Sequence, residues 1–190
     1  MDFYKNKQNV ESYIRFTPSH DGSELVRVLA GVLPSGSTVL EIGMGPGKDF
    51  DHLTENFVVT GSDSSQEFLD LYRKRSNGAD LMSLDALTLD TDRRFDCIYS
   101  NKVLIHLTRD ELSRSLARQH EILNDSGFLL HSFWHGSKEE DYEGLRIIYY
   151  TEQDLIALLE PSFEILDIGR HAKMAKDDSV YVLARKISAD

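Results

Sequence analysis

Cysteine is almost missing from this chain: Cys97 is the only one in 190 residues. An internal disulfide and a zinc site built from several cysteines are both excluded, and no metal site is expected. Positive charge is also scarce. Lys and Arg total 21 against 32 Asp and Glu, for a net charge of −11. A field of that sign repels phosphate backbones, so nucleic acid is a poor partner. No apolar run approaches the roughly 20 residues that span a bilayer, so no membrane partner is expected. The segment after Met1 carries no apolar signal core, which makes the cytoplasm the expected compartment. There is no internal repeat and no low-complexity tract.

What is present is the composition of one ordinary globular domain, 1–190, with 41% hydrophobic and 28% charged residues. Its focal stretch runs Thr38-Val39-Leu40-Glu41-Ile42-Gly43-Met44-Gly45-Pro46-Gly47-Lys48-Asp49. A short aliphatic run ends beside an acid, and glycines follow at every second position. The pattern predicts a buried strand that stops and feeds a helix. Glycine there permits positive φ and lets a ligand lie against bare main chain. The spacing is not the dinucleotide fingerprint G-x-G-x-x-G, because Lys48 stands where the third glycine belongs. It is not the phosphate-cradling G-x-x-x-x-G-K-[S/T] either.

Around this loop the chain alternates. Residues 1–18 carry Phe3, Tyr4, Tyr13, Ile14 and Phe16, either as a surface helix or as a lid over a pocket. Asp21 and Glu24 have capping-box spacing, and Leu25, Val28, Leu29 and Val32 give one apolar helix face. Phe57–Asp63 reads as a second strand ending in an acid 20 residues after Gly43. In nucleoside-binding α/β folds an acid at that point accepts from ribose hydroxyls. Ser64 and Glu67 suggest a second capping box, for a helix turning Phe68, Leu69, Leu71 and Tyr72 inward. Leu81–Ala86 is a third strand, with Asp85 at its end. Phe95–Asn101 is a fourth, and Thr108 with Glu111 caps a helix after it. Asn124–Gly127 reads as a turn and Phe128–Trp134 as strand five. His135–Glu143 reads as a polar loop, and Thr151–Asp154 as a further helix start. Phe163–Ile168 and Val180–Ala184 close the chain as an antiparallel pair. Strands alternating with helices predict an α/β, Rossmann-like doubly wound fold. Its mostly parallel seven-stranded sheet has an antiparallel edge strand and helices on both faces. In such sheets ligands bind beyond the C-terminal strand ends, where Glu41, Asp63, Asp85 and Asn101 should converge.

The motif Glu41-x-Gly43-x-Gly45-x-Gly47, the spaced acids Asp63 and Asp85, and Phe95-Asp96-x-Ile98 followed by Val103–Leu107 resemble the class I S-adenosylmethionine-dependent methyltransferases. The resemblance covers about Val39 to Lys186. It implies S-adenosylmethionine as cofactor, held by Glu41, Gly43, Met44, Gly45, Gly47, Asp63, Ser64, Asp85, Ala86, Ser100 and Asn101. Asp63 would take the ribose, Asp85 the adenine amino group, and the Ala86 N–H the ring. Residues 1–18 would form the lid. The departure is Met44-Gly45-Pro46-Gly47-Lys48, where many relatives carry Cys or Ser, Thr and Arg.

Methyl transfer from a sulfonium is an in-line displacement that mainly needs alignment. A base is required only where the nucleophile must lose a proton. His106, just beyond strand four, is the candidate, set against a histidine that merely shapes the turn. His20 and His135 are weaker candidates. Tyr13, Phe16, Trp134, Arg146 and Tyr149 are expected to contact the acceptor or form the lid. Nucleic-acid amino-methyltransferases usually show Asn/Asp-Pro-Pro-aromatic after strand four, where this chain reads Ser100-Asn101-Lys102-Val103. Protein arginine methylation usually needs two glutamates there, but Glu139, Glu140 and Glu143 follow strand five. A small-molecule acceptor remains, with a monomer or homodimer as the working state. The rivals are a nicotinamide-dependent oxidoreductase and an S-adenosylmethionine-binding partner protein without turnover.

Overall fold

The computed structural model describes residues 3–16, 22–142, 144–172 and 175–187. Seven strands form one sheet. In chain order they are β1 (Thr38–Ile42), β2 (Val58–Asp63), β3 (Leu81–Ser83), β4 (Phe95–Asn101), β5 (Leu123–Trp134), β8 (Phe163–His171) and β9 (Ser179–Lys186). Two more, β6 (Glu139–Tyr142) and β7 (Leu145–Ile148), pair only with each other. The sheet order is β3-β2-β1-β4-β5-β9-β8. Strands β1 to β5 run parallel, and β9 runs antiparallel to both β5 and β8 at one edge of the sheet. This is the expected doubly wound architecture.

Alternation along each strand divides the core in two. Leu40, Ile98, Leu129 and Val182 pack on one face with Leu112 and Leu116 of α5 (Arg109–Ile122) and Leu155 and Leu159 of α6 (Glu152–Leu159). Their chain neighbours Val39, Cys97, Tyr99, Leu130 and Leu183 pack on the other. There they meet Leu25, Val26 and Leu29 of α2 (Ser23–Ala30), Phe50 and Leu53 of α3 (Lys48–Leu53), and Leu69 and Tyr72 of α4 (Gln66–Arg75). Period-two side-chain alternation thus makes one sheet serve two helix layers. The sheet order reverses between β1 and β4, so a cleft opens at their C-terminal ends.

The expected Thr108–Glu111 cap forms, and the helix start expected at Thr151 carries a capping box as well. Thr108 and Glu111 exchange bonds at the start of α5, and Thr151 and Asp154 at the start of α6. Four local expectations are corrected. Helix α4 starts one residue later than the Ser64–Glu67 box requires. Its N-cap is Ser65, whose hydroxyl donates to the Tyr4 carbonyl instead of capping. Val32 is exposed, because α2 ends at Ala30 and its buried face continues through Val26 and Leu33. Asn124–Gly127 lies within β5 as an irregularity, with Ser126 at φ 58°, rather than in a turn before it. The stretch expected as a loop, His135–Glu143, contains β6, the first strand of the β6–β7 hairpin. Gly144 turns it at φ 83°, with its N–H donating to Asp141 Oδ1. Asp21, the expected cap partner of Glu24, and His20 lie outside the described residues, and the N-cap of α2 is Gly22. The first helix, α1 (Lys7–Phe16), packs across α4 through Tyr13 and Phe68.

Candidate active site

The loop after β1 is shaped by backbone needs. Gly43, Gly45 and Gly47 all have positive φ, at 68°, 49° and 82°. A Cβ on Gly43 would sit 2.5 Å from the Val103 methyls, and one on Gly47 would sit 2.2 Å from the Tyr72 ring. Only glycine satisfies both the conformation and the close approach. The Met44 N–H bonds the Ser62 carbonyl across the strand ends. The Gly45 N–H donates to Asp63 Oδ2 at 2.9 Å, and Asp63 Oδ1 accepts from the Ser65 N–H at 2.8 Å. Asp63 is thereby aimed before any ligand arrives. Burial raises its pKa, while the bonds from Ser65, Gly45 and Ser64 oppose the rise.

Behind the loop sits an acidic knot. Asp49 Oδ2 accepts from the Tyr99 hydroxyl at 2.8 Å and from Asn101 Nδ2 at 2.9 Å, and Asp49 Oδ1 accepts from the Gly22 N–H. Glu41 lies beside it and is 3% exposed. Its Oε2 and the Oδ1 of Asn101 are buried acceptors with no donor among the described residues. Burial pushes the Glu41 carboxyl well above the usual range, with Asp49, Asp63 and Asp51 adding to the push. Two unsatisfied buried acceptors in an acidic pocket are costly unless a donor, preferably cationic, enters.

The other wall is apolar and comes from scattered elements. Tyr4 meets Tyr13 and Phe68 with ring centroids 5.6 and 5.9 Å apart. Leu145 and Ile147 reach in from β7. Trp134 stacks under the Lys102 ammonium at 4.4 Å, and that ammonium also donates to the Phe133 carbonyl. His106, in a short 3-10 turn (Leu104–His106), places Nδ1 2.7 Å from the Arg146 carbonyl. A carbonyl only accepts, so Nδ1 carries the proton and Nε2 is left as an acceptor. Burial lowers the His106 pKa, which favours this neutral ring.

One cavity of about 410 Å³ unites these walls. Of the expected residues, Glu41, Gly43, Met44, Gly45, Asp63, Ser64, Asp85, Ala86, Asn101, Tyr13, Trp134 and His106 all line it. Asp85 Oδ1 accepts from the Leu87 N–H at the rim. Five candidates, His135 among them, do not line it. Ser100 points the opposite way from its neighbour Asn101 and bonds His131 inside the core. Gly47 acts one step removed, as the N-cap of α3. Arg146 contributes its carbonyl, while its side chain lies outward near Glu111. Tyr149 donates to Glu140 on the outer side of the hairpin. The Phe16 side chain lies outside what is described, and His135 faces Glu152 away from the cavity. Sequence reasoning missed Asp49, which reads merely as an acid in the first turn of α3. It also missed Leu145 and Ile147, which belong to the unforeseen hairpin.

Residues 39–127 match a family model described as a methyltransferase domain. No curated protein matches the chain. Among solved structures, Burkholderia thailandensis 1,6-didemethyltoxoflavin-N1-methyltransferase, with bound 1,6-didemethyltoxoflavin and S-adenosylhomocysteine, superposes at a TM-score of 0.79. It is 22% identical, over 94% of this chain and 87% of that one. The N-methyltransferase NodS from Bradyrhizobium japonicum WM9, in complex with S-adenosyl-L-homocysteine, gives 0.76 at 15% identity, over 98% of this chain and 100% of that one. An S-adenosylmethionine-dependent methyltransferase from Clostridium acetobutylicum ATCC 824 gives 0.76 at 16%, over 95% and 99%. At these identities the likeness speaks for the fold.

Proposed function

We infer that this chain is a class I S-adenosylmethionine-dependent methyltransferase, and we propose that it methylates a small molecule by in-line transfer. The observation that carries the cofactor is the pair of buried acceptors beside the glycine loop, Glu41 Oε2 and Asn101 Oδ1, that have no donor among the described residues. They fit a ligand whose end is cationic and rich in N–H donors. Asp63, held by two backbone N–H groups, keeps lone pairs for adjacent ribose hydroxyls. Asp85 and the Ala86 N–H border the place for the base.

S-adenosylmethionine, when bound, supplies a methyl group already activated on a sulfonium. The chain's task is then alignment, for which correct positioning contributes roughly 7–11 kcal/mol. Tyr4, Tyr13, Trp134, Leu145 and Ile147 form an apolar receptacle that excludes water and suits a small acceptor. His106 Nε2 takes the proton that an acceptor N–H or O–H loses as its new bond to carbon forms. The Arg146 carbonyl keeps the ring in the tautomer that can do so. The helix α1, which brings Tyr13 to the cavity, acts as the lid. The toxoflavin-related and NodS enzymes are N-methyltransferases, which agrees with this reading. The protein is expected to work in the cytoplasm as a single domain, monomeric or dimeric.

Thermal unfolding tests the cofactor. At about 100 times its dissociation constant, S-adenosylhomocysteine adds roughly 2.7 kcal/mol to the folded state and raises Tm by a few degrees. NAD at the same concentration leaves Tm unchanged. A shift with NAD alone would replace this reading with an oxidoreductase. Cofactor binding without transfer to any compound in a broad acceptor panel would leave a binding protein.

A further inference from the structure

The Ser100 side chain, turned away from the cavity, opens a buried relay that returns to the cavity by another route. Ser100 Oγ lies 2.9 Å from His131 Nδ1. His131 Nε2 lies 2.7 Å from Gln119 Oε1, and Gln119 Nε2 lies 3.1 Å from Ser115 Oγ. The Ser115 hydroxyl lies 2.6 Å from the Ala86 carbonyl. All four side chains are buried, none more than 1% exposed. The protons can be assigned from the far end. The Ala86 carbonyl can only accept, so the single Ser115 proton points at it. Ser115 must then accept from the Gln119 amide N–H, which turns Oε1 toward His131. His131 therefore carries its proton on Nε2, and Ser100 donates to Nδ1. One arrangement satisfies every link, and reversing any one breaks its neighbour. Burial keeps the His131 ring neutral, as the arrangement requires.

We propose that Ser115, oriented by Gln119 and His131, is a positioning residue for the base of the cofactor. It holds the Ala86 carbonyl, and with it the Ala86–Leu87 peptide whose N–H donates to Asp85 Oδ1, so that Asp85 presents one set of acceptors to that base. The relay begins on Ser100, next to Asn101, so the strand end that faces the cationic part of the ligand and the loop that faces the base share one brace. This rests on the cofactor reading above, and it adds what discriminates the base. The residues come from β4, β5 and α5 and touch no part of the cavity themselves, apart from the loop they hold.

The test is binding of S-adenosylhomocysteine and of its inosine analogue, in which an oxygen replaces the base amino group, to wild type, Ser115→Ala and Gln119→Met. Wild type is expected to prefer S-adenosylhomocysteine. Ser115→Ala is expected to weaken that ligand about five- to tenfold, the scale of one well-placed hydrogen bond. The analogue should change little, so the preference collapses. Gln119→Met keeps the size of the side chain and leaves Ser115 free to rotate, so it should lose part of the preference. Merely structural damage would weaken both ligands alike, and that result in folded variants overturns the inference. So does an unchanged preference in Ser115→Ala; should that variant fail to fold, an unchanged preference in Gln119→Met is decisive. If wild type binds neither ligand, the cofactor reading fails and this inference falls with it. Wild-type binding with no preference between the two overturns this inference alone.

Discussion

The two walls of the cavity are built by different means. The acidic wall is made of neighbouring strand ends. Glu41 lies in register with Gly61 of β2 and Tyr99 of β4, and Asp63 with Ser83 of β3. Main-chain donors then lock Asp63 in place. Moving any of these groups requires breaking the sheet. The apolar wall borrows Tyr4 and Tyr13 from the N-terminal segment, His106 from a 3-10 turn, Trp134 from the end of β5, and Leu145 and Ile147 from a hairpin outside the main sheet. One hydrogen bond, from His106 to the Arg146 carbonyl, ties two of those pieces together. On the proposed function, the scaffold fixes where the cofactor lies. The attachments would then choose the acceptor, and they could change without disturbing the acidic wall.

The sharpest way to break this division is through His106. His106→Gln removes the acceptor nitrogen while leaving the acidic wall untouched. The expected outcome is a loss of about 10²-fold or more in the single-turnover transfer rate, the scale of general-base catalysis. The dissociation constant of S-adenosylhomocysteine, measured by calorimetry, stays as in wild type. An unaltered rate would reduce His106 to a shaping residue. A large loss of cofactor affinity would show that the two walls are not independent.

A smaller effect is expected from the opposite wall. Asp63→Ala removes the proposed ribose acceptors and strands the Gly45 and Ser65 N–H groups. Cofactor binding should weaken by about 1.5–3 kcal/mol, the usual worth of hydrogen bonds to a charged group. The transfer rate at saturating cofactor should change far less. Unchanged affinity in titration calorimetry would mean that the ribose does not lie at the end of β2.

The same division explains what the sequence discloses. Parallel strands buried on both faces write themselves as aliphatic runs, and a ligand loop at their ends needs glycines at fixed spacing. Glu41, Asp63 and Asp85 could therefore be placed by counting. Ser100 went astray because counting to a strand end ignores alternation: with Asn101 facing Asp49, its neighbour must face α5. The hairpin was illegible for another reason. Glu139–Tyr142 is exposed throughout and has no apolar alternation, and its pairing depends on the turn at Gly144 and on Leu145 and Ile148 finding the core. The role of Arg146 was invisible for the same reason, since the carbonyl that orients His106 belongs to no residue type.

The finest test of the acidic wall is its response to pH. In the ligand-free protein the Glu41 carboxyl titrates above its ordinary 4.5, chiefly because it is buried. Between 4.5 and that raised pKa the folded state holds a proton that the unfolded chain has lost, so stability falls as pH rises through this window. A cationic donor placed against Glu41 favours the ionised carboxylate. Binding of S-adenosylhomocysteine should therefore release a proton and tighten with rising pH, by at most about tenfold per unit for one proton. Asp63, also raised by burial, contributes in the same direction, so Glu41→Gln is the control that separates them. Calorimetry in buffers of different ionisation enthalpy should show proton release on binding to wild type, and less release to Glu41→Gln. Equal release from both would assign the titration to Asp63 and move the cationic end of the ligand away from Glu41.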